Sequence, residues 1–234
     1  MNYIVKSGVK NESYRHFWVR ESLGKFKGAH NRGKLLDVGA GQSPYKEFIL
    51  QIGLEYFSHD FALYVPNNES PGLQNQEWIY PKHDFQCDLL ELSQDIKYDV
   101  VLCTEVLEHV PDPVAALKHM VNLVQPFGLL IITVPFMSLM HQSPHWYSSG
   151  LSPFWFEHWS SELGLEIELL EVSGDYMDFL DQELHRAMPH ARTFPKFGWI
   201  ISKFLQTQVK LTNELRQSGG FGVMVILRKI GAGS

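Results

Sequence analysis

The stretch Lys34-Leu35-Leu36-Asp37-Val38-Gly39-Ala40-Gly41-Gln42-Ser43-Pro44 puts an acid, two glycines and a helix-start signal within a few residues. Leu35, Leu36 and Val38 read as a buried parallel strand that stops at a tight turn and feeds a helix. Gly39 and Gly41 let the backbone turn sharply and let a ligand come close to it. Ser43 is expected to cap the helix, with Pro44 at its first position, where no N–H is required. A carboxylate beside such a turn favours a cation. A dinucleotide would instead seat its pyrophosphate on the helix N-terminus and need a third glycine, and Pro44 holds that position.

Other residues have types suited to chemistry. Asp60 ends a second strand-like run, Leu54 to His59, roughly 20 residues past the glycine turn, where doubly wound folds place the acid that bonds a ribose 2′-OH. One carboxylate can accept from both ribose hydroxyls; a loop or capping aspartate is the alternative reading. Of eleven histidines, His109, His141 and His145 are the candidates for a base that takes a proton from an acceptor, since imidazole titrates near neutral pH. His141-x-x-x-His145 has the spacing of a metal pair, but Pro144 breaks the helix that would align it, and no metal is expected.

The elements that must position these residues follow from periodicity. Residues 1–28 carry a helix over 11–27, with Phe17, Leu23 and Phe26 on one face and Tyr14 at its edge. Residues 29–135 hold the central strands: the glycine-turn strand, Leu54 to Asp60, a third within Trp78 to Phe85, Val100 to Cys103, and a fully apolar fifth from Leu129 to Val134. A short helix fills Tyr45 to Gln51, and Asp112 and Pro113 start another whose apolar face is Val114, Leu117, Val121 and Val124. Residues 136–172 contain an aromatic loop, a helix from Ser152 to Leu163 and an alternating, half-exposed sixth strand. Residues 173–218 are an insertion with helical stretches at 175–187 and 196–215, parted by Pro189 and Pro195, and residues 219–230 give an antiparallel last strand. The fold expected over residues 1–234 is a single α/β domain: a doubly wound, mostly parallel seven-stranded sheet with a helical insertion between strands six and seven.

Composition narrows the class. A formal net charge of −6 with no long basic run argues against nucleic acid as the partner. Cys87 and Cys103 imply no disulfide framework, which fits a reducing cytoplasm. Met1 to Lys6 has no apolar leader, and no run is long enough to span a membrane. Lys196, Lys203 and Lys210 recur opposite Phe197, Ile201, Phe204 and Leu211, an amphipathic face for the core or for peripheral contact with a membrane or acidic partner. Six Lys or Arg against one acid between 196 and 229 also suit a polyanionic substrate group.

The Asp37-x-Gly39-x-Gly41 context resembles the first motif of the class I S-adenosylmethionine-dependent methyltransferases, whose cofactor carries a sulfonium and no phosphate. Tyr98 to Pro113 resembles the fourth strand and following loop of small-molecule members of the ubiquinone-biosynthesis type, and Pro126 to Pro135 their fifth strand. The resemblance covers about residues 34 to 135 in order and spacing. It implies S-adenosylmethionine as cofactor, with Asp37, Gly39, Gly41, Asp60, Phe61, Asp88, Leu89, Thr104 and Glu105 around it. Within that set Asp88 would accept from the adenine amino group and Leu89 stack near the ring, although helix capping explains Asp88 nearly as well.

Relatives linked to sugar and cell-envelope pathways carry His-x-x-Pro-x-Asp-Tyr-x-Arg after the fifth strand. His141, Pro144 and Tyr147 match to within a residue, while Trp146 and Ser149 stand near the places of the acid and the arginine, so no substrate class is inherited. Trp146, Tyr147 and Tyr176 are the expected acceptor-side residues. The resulting expectation is methyl transfer from S-adenosylmethionine to oxygen or nitrogen of a small molecule. The alternatives are a cofactor- or partner-binding relative without turnover and, less favoured for want of the third glycine, a nicotinamide-dependent oxidoreductase.

Overall fold

Alternate residues of the central strands enter opposite faces of one sheet, and two apolar layers follow from that alternation. In the computed structural model, which describes residues 3–29, 33–67, 69–74, 77–187, 200–201, 203–204, 207 and 211–231, the strands are β1 (Ile4–Lys6), β2 (Lys34–Val38), β3 (Glu55–Asp60), β4 (Phe85–Gln86), β5 (Tyr98–Thr104), β6 (Val124–Pro135), β7 (Leu165–Ser173) and β8 (Gly222–Lys229). Their order across the sheet is β1-β7-β8-β6-β5-β2-β3-β4. Only β8 runs antiparallel, to β6 and β7, and all other pairings are parallel.

The helices are α1 (Asn11–Ala29), α2 (Lys46–Gln51), α3 (Pro113–Leu123), α4 (Pro153–Glu162), α5 (Tyr176–Ala187) and α6 (Asn213–Gln217). Leu35, Val100, Leu102, Leu129 and Ile131 bury one face under α1 and α2, where Trp18, Val19, Leu23 and Phe26 supply the helical stripe. Leu36, Val101, Cys103, Leu130, Ile132 and Val134 bury the other against Leu117, Met120 and Val121 of α3 and Phe156 of α4. The side chains of Asp112 and Ser152 cap α3 and α4.

Four expectations are corrected. The sheet has eight strands: β1 pairs with β7 through Ile4–Glu171, Val5–Val172 and Lys6–Ser173, so the alternating β7 is not an edge, and its second half is buried. Phe17 points outward at 56% exposure, because the stripe that meets the sheet runs through its neighbours Trp18 and Val19. The third strand shrinks to Phe85–Gln86, since the aromatic residues before it pack over the carboxyl edge instead of joining the sheet. Ser43 does not cap α2: it is left-handed at φ 56, its N–H bonds to Ala40 O at 2.7 Å, and the helix starts at Lys46 after Tyr45. In the 173–218 insertion, α5 forms as expected, whereas half of the stretch 196–215 lies outside the described residues. No described helix is long and apolar enough to cross a membrane.

Candidate active site

Parallel strands deliver their carboxyl ends to one edge, and β2, β3, β5 and β6 end there on Val38, Asp60, Thr104 and Pro135. The turn after β2 is fixed by glycine. A Cβ on Gly39 (φ +65) would lie 2.3 Å from Val106 Cγ2, so the chain after β5 packs directly on it. Gly39→Ala is therefore expected to cost about 1–3 kcal/mol through strain and overpacking, read as a lower melting temperature. A melting curve superimposable on the wild type would show that the loop gives way freely.

Asp37 is buried at 1% exposure; its Oδ2 accepts from the Tyr56 hydroxyl at 2.9 Å, while Oδ1 has no partner. Burial, reinforced by the Asp60 charge and opposed by the Tyr56 hydrogen bond, pushes its carboxyl up to about 7. Asp60 is also buried; its Oδ2 accepts from Gly41 N–H at 2.8 Å and its Oδ1 from Ala62 N–H at 2.7 Å. The acid of β3 is thus joined to the glycine turn, two oxygens keeping further lone pairs for a ligand. Phe61 follows, its ring edge-on to His145 at 5.0 Å.

Asp88 is exposed and caps the short 3-10 turn at Leu89–Glu91 through Leu90 N–H at 2.8 Å. Leu89 is 6% exposed in the core beneath that turn. Thr104 ends β5, and Glu105 is left-handed at φ 55. The Glu105 carboxylate accepts from Thr133 Oγ1 at 2.9 Å and pairs with Arg15 of α1 at 3.2 Å. Arg15 had no signal in the sequence, because its partner lies on another element far along the chain.

The most unusual cluster stands next to these. Glu108 is fully buried with neither carboxylate oxygen bonded, and burial together with Glu105 raises its carboxyl well above the usual range. His109 Nε2 lies 3.7 Å from Glu108 Oε1, its Nδ1 meets the His145 carbonyl, and its ring stands 4.8 Å edge-on from His141. Burial holds the His109 imidazole down at about 4, so it is neutral at pH 7 and a weak base. One ligand atom from each of Glu108, His109 and His141 lies within 4.8 Å of the other two. A carboxylate with two imidazoles is a donor set for a divalent cation, and a cation would satisfy the orphaned oxygens.

The expectation of no metal rested on the pair His141 and His145. The structure groups His141 with Glu108 and His109 instead, because the loop after β6 folds back on the turn Leu107–His109, donating Tyr147 N–H at 2.9 Å and Ser148 N–H at 3.2 Å to Glu108 O. Glu105-x-x-Glu108-His109 was the available signal: charge directly after a buried strand.

Trp146 is half-buried with an unpartnered indole N–H, and Tyr147 is 52% exposed on the same loop. Tyr176 opens α5 against Gly219, which also faces Met137 after β6, so the insertion starts and returns beside this loop.

Comparisons with known proteins agree with this edge. A family model described as a methyltransferase domain matches residues 13–191. A ubiquinone biosynthesis O-methyltransferase of Leptothrix cholodnii is 25% identical over 167 residues, which is 64% of this chain and 69% of that protein. One of Acinetobacter baylyi is 31% identical over 132 residues, 56% of this chain and 51% of its own length, so the chain spans only about half of that relative. A solved S-adenosylmethionine-dependent methyltransferase of Archaeoglobus fulgidus superposes with a TM-score of 0.54 at 14% identity, covering 91% of this chain and 93% of that one, a likeness of fold.

Proposed function

Because the chain belongs to the methyltransferase-domain family of the class I S-adenosylmethionine-dependent enzymes, we propose that it transfers the sulfonium methyl group to an oxygen of a small-molecule acceptor. The observation that carries this reading is Asp37: a buried carboxylate with one unpartnered oxygen, at the carboxyl edge of a doubly wound sheet, beside Gly39 and Gly41. Such a group is poorly satisfied alone and well satisfied by a cationic ligand. The choice of oxygen follows the O-methyltransferase names of the relatives.

In the reaction an acceptor lone pair forms the new bond to the methyl carbon as the carbon–sulfur bond breaks and its electron pair returns to sulfur. Most of the rate enhancement comes from aligning acceptor, methyl carbon and sulfur, a task of binding more than of proton chemistry. Asp60 would hold the ribose hydroxyls, and Phe61 and His145 would wall the cleft between cofactor and acceptor. Trp146, Tyr147 and Tyr176 would border the acceptor from the loop after β6 and from the insertion 173–218, whose lid role rests on where it leaves the sheet.

The acceptor hydroxyl must also lose its proton. His109, neutral at pH 7, is too weak a base to do this unaided, and burial disfavours the charged form of Glu108. Glu108, His109 and His141 would hold a divalent cation, which when bound makes a nearby hydroxyl more acidic. His145 remains the candidate proton acceptor outside that cluster.

Titration calorimetry tests the premise. S-adenosylhomocysteine is expected to bind with a micromolar dissociation constant and NAD not at all, since the turn offers acids and lacks the third glycine. Equal affinity for the two ligands would overturn the assignment.

A further inference from the structure

The connection between β3 and β4 does more than span two strands. A Cβ on Gly41 would stand 2.9 Å from Trp78 Cζ2, so the indole lies directly on the glycine turn. From Trp78 an arc of rings runs along the carboxyl edge. Trp78 meets Tyr64 at 6.0 Å and Tyr80 at 6.0 Å, and Tyr80 meets His83 at 6.1 Å, each edge-on. The Tyr80 hydroxyl is pushed up to about 12 by burial and by the charge of Asp60. The arc therefore runs from the glycine turn to His83, two residues before β4.

Two of its members are unsatisfied. His83 is 7% exposed and neither ring nitrogen has a hydrogen-bond partner. The buried Trp78 Nε1 has no hydrogen-bond partner. His59, at the end of β3, adds a third orphan: its Nε2 lies 3.1 Å from Cys87 O while Nδ1 has no partner. Buried polar groups are normally paired, and several orphans in one place point to a polar ligand that pairs them.

The connection is also held in position. Leu73 N–H donates to Met140 O at 2.9 Å, Gln142 N–H to Leu73 O at 2.9 Å, and Gln74 Nε2 to Ser143 Oγ at 3.0 Å. The aromatic arc is thus tied across the cleft to the loop that carries His141. Along it the side chains alternate: Tyr64 is buried, whereas Leu63, Val65 and Ile79 are 67%, 75% and 71% exposed. An aromatic inner face with aliphatic residues outside is the build of a roof.

We propose that Trp78 and His83 belong to the cofactor's adenosine site, Trp78 covering the nucleoside above the glycine turn and His83 hydrogen-bonding the purine. The inference rests on the reading of the protein as an S-adenosylmethionine enzyme and adds two residues on a connection that no strand-end motif marks. A neutral imidazole offers one donor and one acceptor, matching the ring nitrogens and amino group on the edges of adenine. The flat indole offers apolar area to a purine face.

The test is calorimetry with S-adenosylhomocysteine and its hypoxanthine analogue, S-inosylhomocysteine, on the full chain. The wild type is expected to favour the adenine ligand. His83→Phe, which keeps the ring and removes both nitrogens, should weaken S-adenosylhomocysteine about tenfold and shrink the preference over the analogue. Trp78→Ala should weaken both ligands by a similar factor, and Trp78→Phe should restore most of that loss. Folding of each variant is checked by circular dichroism. If a variant does not fold, intrinsic fluorescence of the wild type against Trp78→Phe reports whether ligand alters Trp78, and an identical change in both proteins counts against its role. Folded variants with wild-type affinity and wild-type base preference overturn the inference. A wild type that binds no S-adenosylhomocysteine overturns the functional reading itself.

Discussion

Affinity for S-adenosylmethionine is expected to rise about tenfold per pH unit on the acid side of 7 and then level off, as Asp37 changes from carboxylic acid to carboxylate. The ligand-free protein holds this carboxyl at about 7, from an ordinary 3.8, chiefly because burial disfavours its charge. A sulfonium next to it reverses that preference, so binding ionises Asp37 and releases a proton wherever the free protein is still protonated. The ligand-free chain should show the opposite slope in stability. A folded pKa raised above the unfolded one means that the native state holds the extra proton between the two values. The contribution is then fully present below about 3.8, falls as pH rises, and is lost above about 7. The loss amounts to a few kcal/mol, since each tenfold change in proton affinity is worth roughly 1.4 kcal/mol. Asp37→Asn should flatten both profiles and bind the cofactor more weakly at pH 8. Calorimetry from pH 5 to 8 in buffers of different ionisation enthalpy counts the released proton. A binding profile already flat in the wild type would remove Asp37 from contact with the cation.

Divalent cations should raise the melting temperature of the wild type and leave that of Glu108→Gln unmoved. Glutamine matches glutamate in shape and brings no charge into this buried place, so the variant is expected to fold. It cannot supply the anionic oxygen that, with His109 and His141, makes the three-atom cluster. A cation at a hundred times its dissociation constant adds about 2.7 kcal/mol, which corresponds to a shift of roughly 5–10 °C in a chain of this size. Chelator should return the wild type to the lower value and slow turnover, and His141→Ala should behave like Glu108→Gln. If cations shift neither protein and chelator leaves turnover intact, the cluster is a buried hydrogen-bonding group and not a cation site. That result would throw deprotonation of the acceptor onto His145 or bulk water.

Much of this protein is local chemistry written along the chain. Apolar runs of Leu, Ile and Val bounded by glycine and acid define β2, β5 and β6, because a strand buried on both faces admits little else. Asp112 with Pro113, and Ser152 with Pro153, mark helix starts because capping depends only on neighbouring residues. The place of Asp60 at the end of the strand after the glycine turn was legible, since adjacent parallel strands bring their carboxyl ends together; its bond to Gly41 N–H came with the fold. The tertiary structure alone decided the rest. Ile4–Lys6 became the eighth strand only because β7 left an edge for it, and periodicity in three residues carries no such information. Arg15 reaches Glu105 from α1, Trp78 settles on Gly41, and His141 joins Glu108 and His109 through a loop folding back across the cleft. These contacts depend on the packing of distant segments, and no spacing between neighbours encodes them. The consequence is clearest at Glu108, whose identity suggests a solvated acid and whose burial, set by the fold, makes it an unsatisfied carboxyl awaiting a partner.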